Sequence, residues 1–169
     1  MRGQDNPCIF VSYSWDSEEH KENVKKLVLR LRSAGFNVIY DGDLVPGDRL
    51  QRFMEKSVAE SDIVIYICTP GYKYKADNRI SGVGYENTII TSELFETQNE
   101  RKFVPVLFSG TWKDSIPIWS KGKVGVDLSN PYQYSSEYRK LLETINRGSR
   151  SASTPIMVTS PKRRHLKKT

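Results

Sequence analysis

Short apolar runs alternate with amphipathic segments along most of the chain. The runs are rich in Ile, Val, Phe and Tyr, which favours β-strands. Five such runs lie at residues 8–13, 36–40, 62–68, 103–108 and 124–128. The third run is apolar on consecutive residues, as is typical of a central parallel strand that is covered on both faces.

The segments between these runs carry apolar residues at spacings of three and four, which predicts amphipathic helices. The stripes consist of Val24, Leu27, Val28 and Leu31; Leu50, Phe53, Met54 and Val58; Ile89, Ile90 and Leu94; and Tyr138, Leu141, Leu142 and Ile145. Gly35 follows the first helix and is expected to end it. Residues 69–83 are mostly polar, and we predict a long loop there.

Strands that alternate with helices indicate right-handed crossovers and therefore a parallel sheet. Five strands in a chain of 169 residues fit an α/β, flavodoxin-like three-layer sandwich with strand order 2-1-3-4-5 and helices on both faces. We expect this domain to span residues 1–147. Residues 148–169 are expected to form a basic, disordered tail or linker.

In such a sheet, ligands bind at the carboxyl ends of the strands, where the strand order reverses between strands 1 and 3. Three loops of this chain are expected at that point. They are Ser12–Ser17, Asp41–Arg49 and Thr69–Tyr85. We therefore look for the functional residues in these three loops.

Composition narrows the class of protein further. No apolar stretch approaches the roughly 20 residues that span a bilayer, and the polar N-terminus lacks the apolar core of a secretory signal. We therefore expect a cytoplasmic protein without a membrane span. Cys8 and Cys68 fall in apolar strands and are expected to be reduced thiols, while His20 and His165 lack ligand spacing, so no metal site is predicted.

The net charge of +6 comes from the end of the chain. Seven of the 26 basic residues lie between Arg147 and Thr169, a segment without acidic residues, and the rest of the chain is close to neutral. The run 162–168 could touch nucleic acid or acidic lipid. No aromatic residue is interleaved with it, so we do not expect a nucleic-acid partner.

The sequence lacks the motifs of several functional sites that are common on this fold. There is no GxGxxG after the first strand and no GxxxxGK[ST], which argues against classical dinucleotide and P-loop phosphate sites. The body of the domain has a single histidine, which leaves no Ser-His-Asp or Cys-His arrangement. The paired acids of a two-component receiver are absent too, because the first strand ends in Ser12-Tyr13-Ser14.

Four segments resemble those of Toll/interleukin-1 receptor (TIR) domains. Phe10-Val-Ser-Tyr-Ser-Trp15 is similar to the opening box of that family, and Asp41-Gly-Asp-Leu-Val-Pro-Gly-Asp48 lies where the family has its BB loop. Phe103-Val-Pro-Val106 matches a later strand of the family. The stretch from Ala76 to Glu86 resembles a bacterial TIR subgroup close to SEFIR domains. The resemblance covers about residues 7–146.

This resemblance implies one of two functions. Many TIR domains cleave NAD+ at the bond between nicotinamide and ribose, whereas receptor and adaptor TIR and SEFIR domains only assemble with one another. The enzymes use one glutamate at the start of a helix, which implies Glu86 as the catalytic residue, with Glu93 as the alternative. One carboxylate suffices because nicotinamide leaves as a neutral base, so only the oxocarbenium-like transition state needs stabilising.

The resemblance and the predicted loops together indicate which residues hold the substrate. Gly82 stands where several NAD-cleaving relatives carry a Trp, so stacking is expected to fall to Tyr85, Tyr13 or Trp15. The full set expected to bind NAD+ consists of Ser12, Tyr13, Trp15, Asp41, Asp43, Arg49, Arg79 and Tyr85. For Asp41, Asp43 and Arg49, turn formation and solvation are the alternative role.

The resemblance also implies a substrate, binding partners and a biological role. NAD+ would be the substrate, no separate cofactor would be needed, and the 41–49 loop would mediate TIR–TIR assembly that activates the enzyme. A sensor domain, fused or separate, and a role in immune or anti-phage signalling are expected. Whether the product is linear or cyclic ADP-ribose is left open.

Overall fold

The computed structural model describes residues 6–78 and 98–152 of the chain, with side chains as far as residue 148. One sheet holds five parallel strands in the order β2-β1-β3-β4-β5, so the predicted flavodoxin-like topology is confirmed. The strands are β1 Cys8–Ser12, β2 Asn37–Ile39, β3 Ile63–Cys68, β4 Phe103–Leu107 and β5 Val126–Asp127. Each is shorter than its apolar run, because the outermost residues of the runs turn into the loops.

Helices cover both faces of this sheet. They are α1 Glu18–Ser33, α2 Leu50–Glu60, α3 Pro70–Asp77, α4 Trp112–Ser115 and α5 Tyr134–Ala152. Short 3-10 turns occur at Asp41–Asp43, Glu100–Lys102 and Ile118–Ser120. Most of the helix predicted over residues 86–100 falls outside the described residues. Its predicted end was wrong, because Gln98 and Asn99 are not helical and Glu100 begins a 3-10 turn.

The alternation of side chains along the strands divides the interior into two apolar layers. In β3, Ile63, Ile65 and Ile67 pack on α1 and α5, whereas Val64 and Tyr66 pack on the opposite side against α2 and α3. All six residues of β3 are buried, which explains why its sequence is apolar without interruption. The stripe predicted for α1 is confirmed, since all four of its residues are buried.

The prediction of a long polar loop from residue 69 was wrong at its start, because α3 occupies Pro70–Asp77. The Thr69 hydroxyl accepts a hydrogen bond from the Tyr72 amide. Pro70 takes the first helical position, where a backbone N–H would have no partner within the helix, so proline costs no hydrogen bond there. Tyr72 and Ala76, one turn apart, are buried. The stripe of α2 also needs a correction, because Leu50 at its first position is exposed.

The last helix, α5, packs closely against the start of β3. A Cβ atom on Gly148 would meet Ile63 Cδ1, so a larger residue here would have to displace the end of that side chain. The helix continues to Ala152 and therefore crosses the boundary that the sequence suggested after residue 147. The predicted disorder of the tail concerns residues that lie mostly outside the described ones.

The cysteines of the chain are free thiols. Cys68 is buried, which raises its pKa to about 12 and keeps the thiol protonated. Within residues 6–78 and 98–152, no helix has the length and apolar character that crossing a membrane requires. The same residues contain no group of three side chains suited to holding a metal ion.

Candidate functional site

The loops after β1 and β2 meet at the carboxyl edge of the sheet, where the strand order reverses. Trp15 in the first loop donates a hydrogen bond from its indole nitrogen, Nε1, to Oδ2 of Asp41 in the second loop, at 2.7 Å. The Tyr13 hydroxyl lies near the same carboxylate, and burial together with this negative charge raises the pKa of Tyr13. One carboxylate thus lies beside two aromatic side chains and holds the indole directly.

The two aromatic rings beside Asp41 differ in exposure. Tyr13 is buried against Tyr40 and His20, whereas 59% of Trp15 is exposed. The ammonium of Lys21 lies 4.6 Å from the centre of the Trp15 ring, which is a cation–π contact. The fixed, exposed indole provides a flat apolar surface at the edge of the sheet.

Asp41 retains an unused acceptor. Its Oδ1 atom is buried and has no hydrogen-bond partner among the described residues. A buried acceptor without a donor costs about 1–3 kcal/mol, so an incoming hydroxyl that could reach Oδ1 would be bound favourably. Asp41 therefore keeps the capacity for one further hydrogen bond besides the one that holds the indole.

Asp16 fixes the rest of the first loop. Its carboxylate accepts hydrogen bonds from the Ser14 hydroxyl and from the Thr69 hydroxyl, the latter at 2.6 Å. Thr69 caps α3, so Asp16 joins the loop after β1 to the helix after β3. A Cβ atom on Gly71 would lie 2.4 Å from Asp16 Oδ1, which shows how closely the backbone of α3 approaches.

His20 lies beneath this loop in the first turn of α1. Its ring packs edge-on against Phe108, with the ring centres 5.9 Å apart, and its Nε2 atom is buried without a hydrogen-bond partner. Asp16 Oδ2 is 4.0 Å from Nε2. Burial lowers the pKa of His20 more than the Asp16 charge raises it, which favours the neutral imidazole at neutral pH.

The first half of the loop after β2 is held by an arginine of α1. Arg32 donates to both carboxylate oxygens of Asp43, at 2.8 and 3.0 Å, and to the Val38 carbonyl oxygen. Asp43 also accepts from the Tyr40 amide. Asp43 is thus engaged in holding the turn, in line with the structural alternative stated for it above.

The second half of this loop projects into solvent. Val45 is 63% exposed, and Arg49 is exposed at the start of α2 without a side-chain capping bond. Within this half of the loop, the Val45 amide donates a hydrogen bond to the Asp48 carboxylate. The Leu44–Arg49 segment therefore presents an apolar side chain and a cation on its surface.

Of the predicted site residues, the structure brings together Tyr13, Trp15 and Asp41. Ser12 lies in the interior, where its hydroxyl is 3.0 Å from that of Tyr72. Asp43 and Arg49 lie farther along the loop after β2. The remaining members of the predicted set, Arg79, Tyr85 and Glu86, and the alternative Glu93, lie outside the described residues.

Sequence reasoning missed Asp16 and His20 as parts of this cluster. The sequence Thr69-Pro70-Gly71 contained a usable signal, because Thr followed by Pro is a common helix start. A helix starting there would have placed Thr69 at the edge of the sheet beside the first loop. The contact with Asp16 could then have been anticipated.

Comparisons with known proteins agree with this architecture. The family model described as TIR domain matches residues 9–142. A search of curated proteins gave no match. Among solved structures, a prokaryotic SEFIR domain is 34% identical, with a TM-score of 0.67, over 83% of this chain and 99% of that chain.

Two more distant structures share the fold. The TIR domain of the Toll-related receptor TRR-2 from Hydra magnipapillata is 16% identical, with a TM-score of 0.61, over 82% of this chain and 97% of that chain. The TIR domains of the activated Roq1 resistosome, which directly recognises the effector XopQ, are also 16% identical. That match has a TM-score of 0.53 and covers 89% of this chain and 86% of that chain.

Proposed function

This chain belongs to the TIR domain family, and from that premise we propose that it is an NAD+ glycohydrolase that cleaves the nicotinamide–ribose bond. The products would be nicotinamide and linear or cyclic ADP-ribose. The enzyme would act in the cytoplasm in immune or anti-phage signalling and would be activated by self-assembly. Glu86 is the proposed catalytic carboxylate.

The observation that carries this proposal is the arrangement of Tyr13 and Trp15 around Asp41 at the carboxyl edge of the sheet. A dinucleotide needs a flat surface for a base and acceptors for ribose hydroxyls. The exposed Trp15 indole can supply the first, and the unpartnered Oδ1 atom of Asp41 can supply the second. Both groups lie where ligands bind in open α/β sheets.

In the proposed reaction the protein has two roles, which are to position NAD+ and to supply a negative charge beside the ribose. Cleavage breaks the bond between the ribose C1′ and the nicotinamide nitrogen, and the electron pair stays with nicotinamide. A carboxylate beside the ribose stabilises the positive charge that develops on the sugar. Water then bonds to C1′ and releases a proton to the solvent. In the cyclic case a nucleophilic atom of the same nucleotide bonds to C1′ instead of water.

A pair of glutamate variants tests this proposal. Concentrated or crowded protein is incubated with NAD+, and nicotinamide is followed by chromatography. We expect release by the unaltered protein and by Glu93→Gln, and none above background by Glu86→Gln. Full release by Glu86→Gln would overturn the assignment of Glu86, and no release by the unaltered protein in any assembled state would overturn the enzymatic function.

A second candidate function, a non-catalytic module that signals by homotypic assembly, is favoured by a different observation. Val45 and Leu50 expose apolar side chains on and beside the 41–49 loop, where the family has its BB loop. The 34% identity to a prokaryotic SEFIR domain also favours this function. We expect the unaltered protein to assemble as its concentration rises, which light scattering measures. Val45→Asp should prevent this assembly, whereas Leu29→Asp, at an exposed site on α1, should leave it intact.

A further inference from the structure

A cavity lies away from the cluster around Asp41, on the side of the sheet that α3 and α4 cover. Its volume is about 840 Å³, within the range of roughly 300–1,000 Å³ that is usual for small-molecule sites. None of its lining residues belongs to the cluster. They are Lys73, Trp112, Lys113, Ile116, Ile118, Lys121, Gly122, Lys123, Val124 and Gly125.

Trp112 and Gly125 form one wall of this cavity. A Cβ atom on Gly125 would lie 2.4 Å from the Trp112 ring and 2.6 Å from the Pro105 carbonyl oxygen, so the ring rests directly on backbone. At the rim, Ile118 is 68% exposed and Val124 is 93% exposed. The cavity therefore offers an indole and aliphatic side chains to a ligand.

Four lysines surround this apolar surface, and they fall into two pairs. Two of them are matched by acids: Lys73 contacts Asp77 at 2.8 Å, and Lys123 contacts Glu100 at 3.1 Å. The other two, Lys113 and Lys121, form no ion pair with any residue that the structure describes.

The unmatched pair gives the described lining of the cavity a surplus of about two positive charges. A ligand with two or more negative charges would complement these lysines. An apolar ring on the same ligand would fit the indole and the aliphatic rim.

We propose that this cavity binds a phosphorylated nucleoside, with the base against Trp112 and the aliphatic rim and with the phosphates beside Lys113 and Lys121. Base–aromatic contact is sequence-tolerant and is worth about 1–3 kcal/mol, and lysine is a common partner of phosphate. The volume accommodates one nucleotide rather than a polymer. This proposal does not rest on the proposed NAD+ cleavage, because the cavity shares no residue with the cluster around Asp41.

Isothermal titration of the full chain with ADP tests the proposal. We expect one ADP per chain, with binding weakened about tenfold or more by Lys113→Glu combined with Lys121→Glu, since each exposed charge pair contributes up to about 1 kcal/mol. Lys25→Glu combined with Lys26→Glu changes the net charge equally on exposed positions of α1. This control should bind ADP as the unaltered protein does.

Further arms of the titration separate this site from others. Trp15→Ala and Glu86→Gln should retain ADP binding, even where they abolish release of nicotinamide from NAD+. Adenosine and pyrophosphate should each bind more weakly than ADP. Adenosine lacks the phosphates that contact the two lysines, and pyrophosphate lacks the base that contacts Trp112. The proposal is overturned if ADP does not bind, if both double-lysine variants lose it equally, if Trp15→Ala abolishes it, or if pyrophosphate binds as well as ADP.

Discussion

The loop that follows β1 and the loop that follows β2 lie side by side at the same edge of the sheet, yet they are held differently. Every polar side chain from Ser14 to Ser17 bonds to a carboxylate, an amide or a hydroxyl within the domain. Beyond Asp43, the second loop instead exposes Val45 and Arg49. A rigid loop suits the positioning of a ligand, whereas an exposed loop suits contact with another protein.

The largest effect is expected at Asp16, which holds the rigid loop. Asp16→Ala removes the acceptor of two hydroxyls, one of them on the fully buried Ser14. Hydrogen bonds to charged groups contribute about 1.5–3 kcal/mol, so we expect the free energy of unfolding to fall by about 3 kcal/mol. Urea denaturation measures this, and Asp16→Asn, which keeps an acceptor oxygen, should lose about half as much.

A smaller effect is expected at Gly71. Alanine favours a helix by up to about 1 kcal/mol, but its Cβ would collide with the Asp16 carboxylate, and such overpacking costs about 1–3 kcal/mol. We therefore expect Gly71→Ala to lower the free energy of unfolding by about 1 kcal/mol. In the Asp16→Ala background the same change should be neutral or stabilising, and a loss of equal size there would refute the contact.

His20 should make the rigid loop sensitive to pH. Its pKa is lowered in the folded protein, so the unfolded chain binds the proton first as the pH falls through about 6.5. The stability contributed by the neutral ring is therefore present above that pH and is lost below it. We expect the urea midpoint to fall less between pH 7.5 and 5 in His20→Phe than in the unaltered protein, while His165→Gln, the control, should keep the original dependence.

The smallest effect on stability is expected in the exposed loop. Val45 makes few contacts with the domain, and exposed substitutions usually change stability by less than about 0.5 kcal/mol. Val45→Asp should therefore unfold at the same urea concentration as the unaltered protein, even if it no longer assembles. A loss comparable to that at Gly71 would mean that the second loop is packed as firmly as the first.

The sheet could be predicted from the sequence because its signal is local and repeated. Each strand is a run of apolar residues, and β3 in particular is buried on both faces, so burial and pattern agree residue by residue. The strand order followed from the fold class that alternating strands and helices define. The stripe of α1 was equally clear, since Val24, Leu27, Val28 and Leu31 all face the sheet.

The site was less predictable because its contacts join distant parts of the chain. Trp15 and Asp41 are 26 residues apart, and Asp16 and Thr69 are 53 apart. Which carboxylate holds which side chain depends on how the loops cross, and apolar periodicity carries no information about that. Asp41 and Asp43 look alike in the sequence, but one holds the indole while the other pairs with Arg32.

The position of Gly148 has a consequence for how this domain can be attached to others. Because α5 runs back along the sheet to reach Ile63, the first residue of β3, the helix ends at the edge opposite to Trp15 and Asp41. Asn6 and Pro7, which precede β1, lie at that same opposite edge. A segment joined at either point would therefore extend from the end of the sheet opposite to Trp15 and Asp41 and would leave the exposed indole uncovered.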